Sequence, residues 1–534
     1  MKDGGRWMKF DRLLKFRRPA QYMGGEFLSV KKVWSKTVKK FLLVSPFTYE
    51  MSASSLGGRI IYHIINSKND CLCERTFMPE EDFKAHLLKN DLALFSLESR
   101  RAAFDFDVVG IMLSSRNSFL ELNDLFKLLK IPMKNRGKNC PAVIAGGPSV
   151  SNFAPIENFF DAFLVGDAEE SLPRALDFYE KGRKEIFLEK IAKIDGFFVP
   201  GVSESVTKAV CRLDSADYPR APAIPNIRTL MNRLDIEVMR GCPNNCAFCE
   251  AKRFYSPLRI RPADEVKEII FSSLKKTGYD GISLSSLSVS QYPHLTDVID
   301  GIIPFLRRKG TSLHVPSLRP DRRSVECVMK ILELNQPNLT FAPESFSPRL
   351  QEAINKKTSF EEFYGILTDF KKAGFRDVKI YLMLGLPGET DEDVKETLKA
   401  VKLFRKSQLK ITLAVSFFVP APHTLFERAK FVDPEVFTER LNMLRSEIKG
   451  MPLRTPDMEG VVIESVIARG GGEISPVLEG LAGGQEFSPD LWNKKAAAAG
   501  INTLEYAMRD LTSGHLPWSK IKLQTVEKNG TDST

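Results

Sequence analysis

The sequence predicts an α/β protein: an N-terminal doubly wound parallel sheet, a partial (β/α)6 barrel, and a small C-terminal α+β region. Three observations carry this. Short apolar runs alternate with helical patterns in two separate blocks. Glycine-rich turns stand at the ends of several of those runs. The second block contains six strand candidates, and a cysteine cluster directly follows the first of them. Strands and helices in strict alternation form parallel sheets, with ligand-binding turns at the strand C-termini.

The first block, residues 1–200, begins with a basic arm. Residues 1–40 carry 12 Lys/Arg against 3 Asp/Glu, while the whole 534-residue chain has a net charge of +10. Such an arm either contacts phosphates or serves as a solvated face. Strand candidates follow at Phe41–Val44, Phe106–Leu113, Ala142–Ala145 and Ala162–Val165, with helical patterns at Ile60–Ile65 and Phe119–Leu129 between them. Gly146-Gly147-Pro148 and Gly166-Asp167 close the third and fourth strands. A proline-bearing link at 201–229 leads into the second block.

The second block, 230–425, has strand candidates at Leu234–Met239, Gly281–Ser286, Ser312–Pro316, Leu339–Phe341, Val378–Leu384 and Ile411–Val419. Pro262 stands where a first helical residue belongs, and Val266, Ile269, Ile270 and Leu274 share one apolar stripe. Thr390 with Asp393 resembles a capping box. The third block, 426–534, mixes a glycine run, an alanine run and a polar tail after Lys522 that is expected to be disordered.

No apolar run reaches the roughly 18 residues a membrane span needs. The N-terminus lacks a continuous apolar core and a cleavage site, so no membrane partner and a cytoplasmic location are expected. Eight cysteines in a long chain of this kind do not suggest a disulfide framework. Three of them, Cys242, Cys246 and Cys249, form a CxxxCxxC segment. Thiolates suit iron–sulfur clusters or zinc. Three closely spaced thiolates hold three irons of a cuboidal cluster and leave the fourth open. A structural zinc site prefers four ligands, usually as two CxxC pairs, and no second pair follows.

On these residues the chain resembles the radical S-adenosylmethionine (SAM) superfamily. The resemblance implies a four-iron four-sulfur cluster whose open iron chelates SAM, a 5′-deoxyadenosyl radical formed by one-electron cleavage, and an electron donor such as a flavodoxin or ferredoxin. It points to Gly385 and Gly388 of the Gly385-Leu-Pro-Gly-Glu-Thr390 turn as an adenine-packing loop. It makes Arg319, Glu344 and Ser345 candidate SAM contacts, with a Glu344–Arg319 ion pair as the structural alternative. Ser285 and Ser286 stand where many relatives carry Gly-Gly-Glu, and their hydroxyls are candidate partners of the SAM ammonium.

A narrower resemblance rests on Tyr22-Met-Gly-Gly-Glu26, Ser96-Leu-Glu-Ser-Arg100, Phe104–Gly110, Ile144-Ala-Gly-Gly-Pro148, Phe160-Asp-Ala-Phe163, Gly166-Asp-Ala-Glu-Glu170 and Leu516-Pro-Trp518. Together they are similar to an uncharacterised bacterial family of radical SAM proteins with an N-terminal cobalamin-binding-like domain. The Asp-x-His-x-x-Gly signature that supplies a histidine to cobalt is absent. The first block therefore either holds cobalamin without a histidine ligand, in a crevice lined by Gly146, Gly147 and Gly166, or keeps the scaffold alone. Cys71, Cys73 and Cys140 read as small buried hydrophobes rather than a second cluster site. Trp518 is expected to dock the C-terminal block on the barrel. The expected activity is radical modification of RNA, of a translation component or of a small molecule. A non-catalytic iron–sulfur binding or redox-sensing module is the alternative.

Overall fold

A computed structural model describes residues 10–214, 217–448, 450–481 and 487–523. The first nine residues of the basic arm and the polar tail from 524 lie outside the described residues. The first sheet has six strands: β1 (Lys39–Thr48), β2 (Cys71–Met78), β3 (Val108–Met112), β4 (Ala142–Gly146), β5 (Ala162–Leu164) and β6 (Phe197–Phe198). Their order is β2-β1-β3-β4-β5-β6, parallel except for the β5–β6 pair. The chain leaves β1 toward β2 on one side, and β3 lies on the other. The C-terminal ends of β1 and β3 therefore form the switch point where open α/β sheets bind ligands.

Strand β2 has no counterpart among the sequence-based expectations, because Glu74 and Arg75 interrupt its apolar run. Both are buried with every other residue of the strand. Arg75 is held between Glu26 and Glu98, at 2.8 Å from the latter, and Glu74 accepts from the Ser99 hydroxyl at 2.6 Å. Pairing of this kind offsets the cost of burying charge. The Tyr22–Glu26 and Ser96–Arg100 motifs thus meet at one ion network. Cys71 and Cys73 are buried core residues of this strand.

The link at 201–229 is packed rather than free. It carries strand β7 (Val206–Thr207) and buries Cys211, Leu213, Tyr218 and Ala223. The second block follows with β8 (Leu234–Glu237), β9 (Met239–Arg240), β10 (Arg259–Ile260), β11 (Gly281–Ser285), β12 (Ser312–His314), β13 (Leu339–Glu344), β14 (Asp377–Leu384) and β15 (Lys410–Phe417). The six long units form a partial barrel as two parallel sheets, β12-β11-β8 and β13-β14-β15, the second extended by β16 (Leu453–Arg454). This last strand lies beyond residue 425, so the barrel sheet recruits a strand from the C-terminal block. Alternation sets the barrel's faces. In β14, Val378, Ile380, Leu382 and Leu384 are buried, while Lys379, Tyr381 and Met383 lie on the other, partly exposed face. The capping box at Thr390 and Asp393 forms as expected. Pro262 is the N-cap of helix Ala263–Thr277, one position before its first turn.

The C-terminal block is mostly helical, and its short strands join other sheets. Strand β17 (Ile521–Lys522) pairs with β7 in the link. Trp518 is buried; it donates to Glu427 at 2.8 Å within the same block, and its ring meets that of His423 at the end of the barrel, 6.5 Å between centroids. Asn152 of the first domain donates to the carbonyls of Ala468 and Gly470. No helix among the described residues is long and apolar enough to cross a membrane.

The domains meet at Arg240. Its guanidinium donates to Asp167 at 2.9 Å and Glu169 at 2.7 Å in the first domain, and to Glu237 at 2.8 Å in the barrel. Arg259 binds the other oxygen of Asp167 and the Cys211 carbonyl. Burial opposes the ionisation of Asp167, but the two arginines outweigh it and hold its carboxyl below the usual range. Asp167, Glu169 and Cys211 stand close enough to serve as cation ligands, yet guanidinium groups already fill that role. Removing one partner of such a network strands the others in a dry interior. Arg240→Met is expected to cost roughly 3–5 kcal/mol, seen as a lowered denaturation midpoint in guanidinium. An unchanged midpoint would mean the junction bears little of the stability.

Candidate functional site

The three cysteines lie on the loop after β9. Gly241 opens it at φ +86°, where a Cβ would stand 2.8 Å from the Pro257 carbonyl oxygen. Only glycine meets both demands. The loop is pinned by later barrel segments: Ala247 N–H donates to the Ile354 carbonyl, and the Ala247 carbonyl accepts from Leu425 N–H. Cys249 caps helix Glu250–Phe254, its sulfur accepting from Lys252 N–H at 3.4 Å. Asn244 donates to the Cys242 sulfur at 3.2 Å and to Gln291 at 2.5 Å, and Gln291 also receives Ser288. Glu250, next to the motif, is held at 2.5 Å by both Arg116 and Ser151 of the first domain.

The thiols fit a cluster better than a lone zinc. Thiolates sharing one tetrahedral zinc stand roughly 3.8 Å apart. Among the described residues, the group of ligand atoms lying mutually within 4.8 Å is Asp167, Glu169 and Cys211, so at least one pair of the three sulfurs is farther apart than that. Burial pushes the Cys246 and Cys249 thiols up, and Lys356 acts against it at both, joined by Arg319 at Cys246.

The other expected residues divide into groups. Glu344 ends β13 at φ +68° and is buried, its carboxylate accepting from Lys356 at 2.8 Å. The expected alternative partner, Arg319, is displaced: the left-handed kink at Glu344 is followed by a short helix that returns Lys356 to it. Lys356, absent from the sequence-based candidates, is thus the cation shared by Glu344 and the cysteines. Its only sequence signal is a Lys-Lys pair after a short helix. Arg319 stands near Cys246, with its backbone N–H on Ser290. The Ser345 hydroxyl is buried against Thr397 and Ser347 N–H, inside the strand-to-helix turn. Gly385 (φ +79°) faces the ring of Phe437, and its N–H donates to Glu389, which Arg440 also binds. The Gly388 carbonyl accepts from Arg349 at 2.7 Å. Burial opposes the ionisation of Asp393, but Arg349, Ser347 and Thr390 hold it well below the usual carboxylate range. Ser285 donates to Asp235 on β8, and the Ser286 hydroxyl accepts from Ser288 N–H.

A crevice of about 820 Å³ lies between the first sheet and the barrel. This is at the upper end of the roughly 300–1,000 Å³ typical of ligand pockets. Its floor at the switch point includes Gly57, Gly58, Gly110, Gly146, Gly147 and Gly166 beside larger apolar residues such as Phe41, Leu43 and Met112. At Gly147, φ is +110° and a Cβ would meet the Leu113 carbonyl oxygen at 2.6 Å. Met239, Arg240, Gly241, Ser285 and Ser286 form part of the barrel side. The structure therefore unites the three predicted crevice glycines with two of the predicted SAM residues and the root of the cysteine loop. No histidine lines the crevice among the described residues.

Residues 57–200 match the family described as radical SAM proteins, N-terminal, and residues 236–401 match the radical SAM superfamily. The chain belongs to the radical SAM superfamily. An uncharacterised protein of the archaeon Methanocaldococcus jannaschii is 29% identical over 74% of this chain and 86% of its own. A tRNA-2-methylthio-N(6)-dimethylallyladenosine synthase of Endomicrobium trichonymphae is 28% identical over 43% of this chain and 54% of its own. The fold is like that of the radical SAM methyltransferase TsrM of Kitasatospora setae, solved with cobalamin and a four-iron four-sulfur cluster. That match has a TM-score of 0.56 and 12% identity, and covers 86% of this chain and 100% of that one.

This radical SAM enzyme thus takes a four-iron four-sulfur cluster and SAM as cofactors, and Cys242, Cys246 and Cys249 are the candidates to hold the cluster. Each of Cys242→Ala, Cys246→Ala and Cys249→Ala is expected to lose it, read as iron per chain and visible absorbance after anaerobic reconstitution; one variant keeping both would sink the ligand assignment. Asn244→Ala removes a hydrogen bond to a ligand sulfur, and such bonds help set cluster potentials. Its midpoint potential is expected to fall below wild type in a dye-mediated titration. An unmoved potential would show that the amide does not reach the bound cluster.

Proposed function

We propose that the enzyme cleaves one SAM reductively to make the radical that takes a substrate hydrogen, and that a second SAM, leaving as S-adenosylhomocysteine, would supply through a corrinoid in the crevice the methyl group that replaces it on a substrate in the barrel lumen. The observation that carries this reading is that the crevice at the sheet switch point shares Met239, Arg240 and Gly241 with the root of the cysteine loop. The glycine floor lets a flat macrocycle approach the backbone closely. When bound, the cluster supplies one electron that splits SAM into methionine and a 5′-deoxyadenosyl radical.

This chain's residues bind and orient. Arg319 and the Glu344–Lys356 pair stand at the cysteine loop, suited to the carboxylate and ammonium of SAM. Ser285 and Ser286 border the crevice, and Arg349 and Arg440 brace the turn holding Gly385 and Gly388. We assign Ser345 to shaping that wall from behind. The substrate is RNA or a component of the translation apparatus. Support comes from the tRNA-modifying relative and from a ribosomal protein uS12 methylthiotransferase of a Thermotoga strain that is 25% identical over 48% of this chain. The electron donor is a flavodoxin or ferredoxin.

One anaerobic experiment tests the reading. Cluster-loaded protein with hydroxocobalamin, reductant and methyl-labelled SAM is expected to release 5′-deoxyadenosine above a triple Cys→Ala control. It should retain cobalamin through gel filtration and label RNA or ribosomal protein in a cell extract. Deoxyadenosine without retained cobalamin would remove the crevice assignment, and label confined to small molecules would remove the macromolecular substrate.

A further inference from the structure

A second cavity, about 130 Å³, lies behind the crevice. The two share Leu43, Ser52, Gly58 and Met112 as lining. The neck is narrow: a Cβ on Gly58 would stand 3.3 Å from the terminal methyl of Met112. Methionine is the side chain that yields most readily.

Arg59, His63 and Arg75 line the chamber, and no aspartate or glutamate does. Of these basic groups, His63 stands 2.9 Å from Asp217, which lies outside the lining. Arg75 is committed to Glu26 and Glu98. Arg59 is not committed. It is 7% exposed, and its Nη2 donates to the Tyr279 hydroxyl at 2.7 Å. Its Nε and Nη1 are shielded from solvent and meet no acceptor among the described residues. A neutral phenol does not balance a guanidinium. Unmade donors on a buried cation are among the costlier arrangements in a protein interior, and a charge-assisted bond to an oxyanion removes that cost.

We propose that this chamber is an oxyanion site, in which Arg59 receives a phosphate or carboxylate group carried past Gly58 and Met112 by the molecule occupying the crevice. The site requires only that something anionic lies there, so it stands or falls separately from the corrinoid reading.

The test uses full-length protein without cluster or corrinoid, and inorganic phosphate as the probe, against chloride at equal ionic strength. Calorimetric titration is expected to show one saturable site, with Arg59→Gln weakening it by about tenfold or more. Arg59→Met removes a buried cation whose Nε and Nη1 meet no acceptor, so its thermal midpoint in phosphate-free buffer is expected to match or exceed wild type. Absent phosphate binding, or equal affinity in Arg59→Gln, would overturn the proposal. So would a lowered Arg59→Met midpoint, because Arg59 would then be a structural partner of Tyr279. Competition identifies the source of the anion, both outcomes supporting the site. Cobalamin displacing phosphate where cobinamide does not assigns it to the corrinoid's nucleotide phosphodiester. Displacement by neither assigns it to a substrate group.

Discussion

The burial of Arg240 is the constraint on which the rest of the architecture depends. One guanidinium neutralises carboxylates from two domains, and it stands two residues before the first cysteine of the motif. Its backbone lies in β9, whose antiparallel partner β10 supplies Arg259 to the same acids. Cluster loop, crevice wall and domain contact are therefore three aspects of one short stretch of chain. A guanidinium suits this place because its planar fork serves several carboxylates in fixed directions and stays charged when buried.

From that junction two ligand surfaces face one another. The first sheet brings glycines set among larger apolar residues, and the barrel brings Met239, Arg240, Gly241 and the hydroxyls of Ser285 and Ser286. Their closeness comes from topology rather than from any single residue. Both surfaces lie at the C-terminal ends of parallel strands, where open sheets and barrels alike leave their loops free to bind.

Much of this was legible in the sequence because it depends on local signals. The strand–helix alternation, the capping box at Thr390 and the cysteine spacing are each readable within a dozen residues. The crevice glycines were legible for the same reason, as turns ending apolar runs. Strand β2 was not, because Glu74 and Arg75 make it look like surface until Glu26 and Glu98 are folded against them. Lys356 was hidden likewise, since a lysine announces nothing until a left-handed kink at Glu344 turns toward it. The barrel's extra strand β16 was too short to carry a pattern, and Ser345 looked available only while its partner Thr397 was far away in sequence. Arg59, one residue after two glycines, reads as an ordinary helix cation. Its meaning depends on Tyr279, 220 positions later.

The tethers of the cysteine loop set an order in time. Ile354 and Leu425, which hold Ala247 from either side, are both made after the loop itself. The strand that closes on β7 is made later still. Domains fold from the N-terminus as they emerge during synthesis, so the first sheet can be complete while the cysteines are still on an unroofed segment. A chain cut short before residue 354 would therefore carry all three cysteines with neither tether in place.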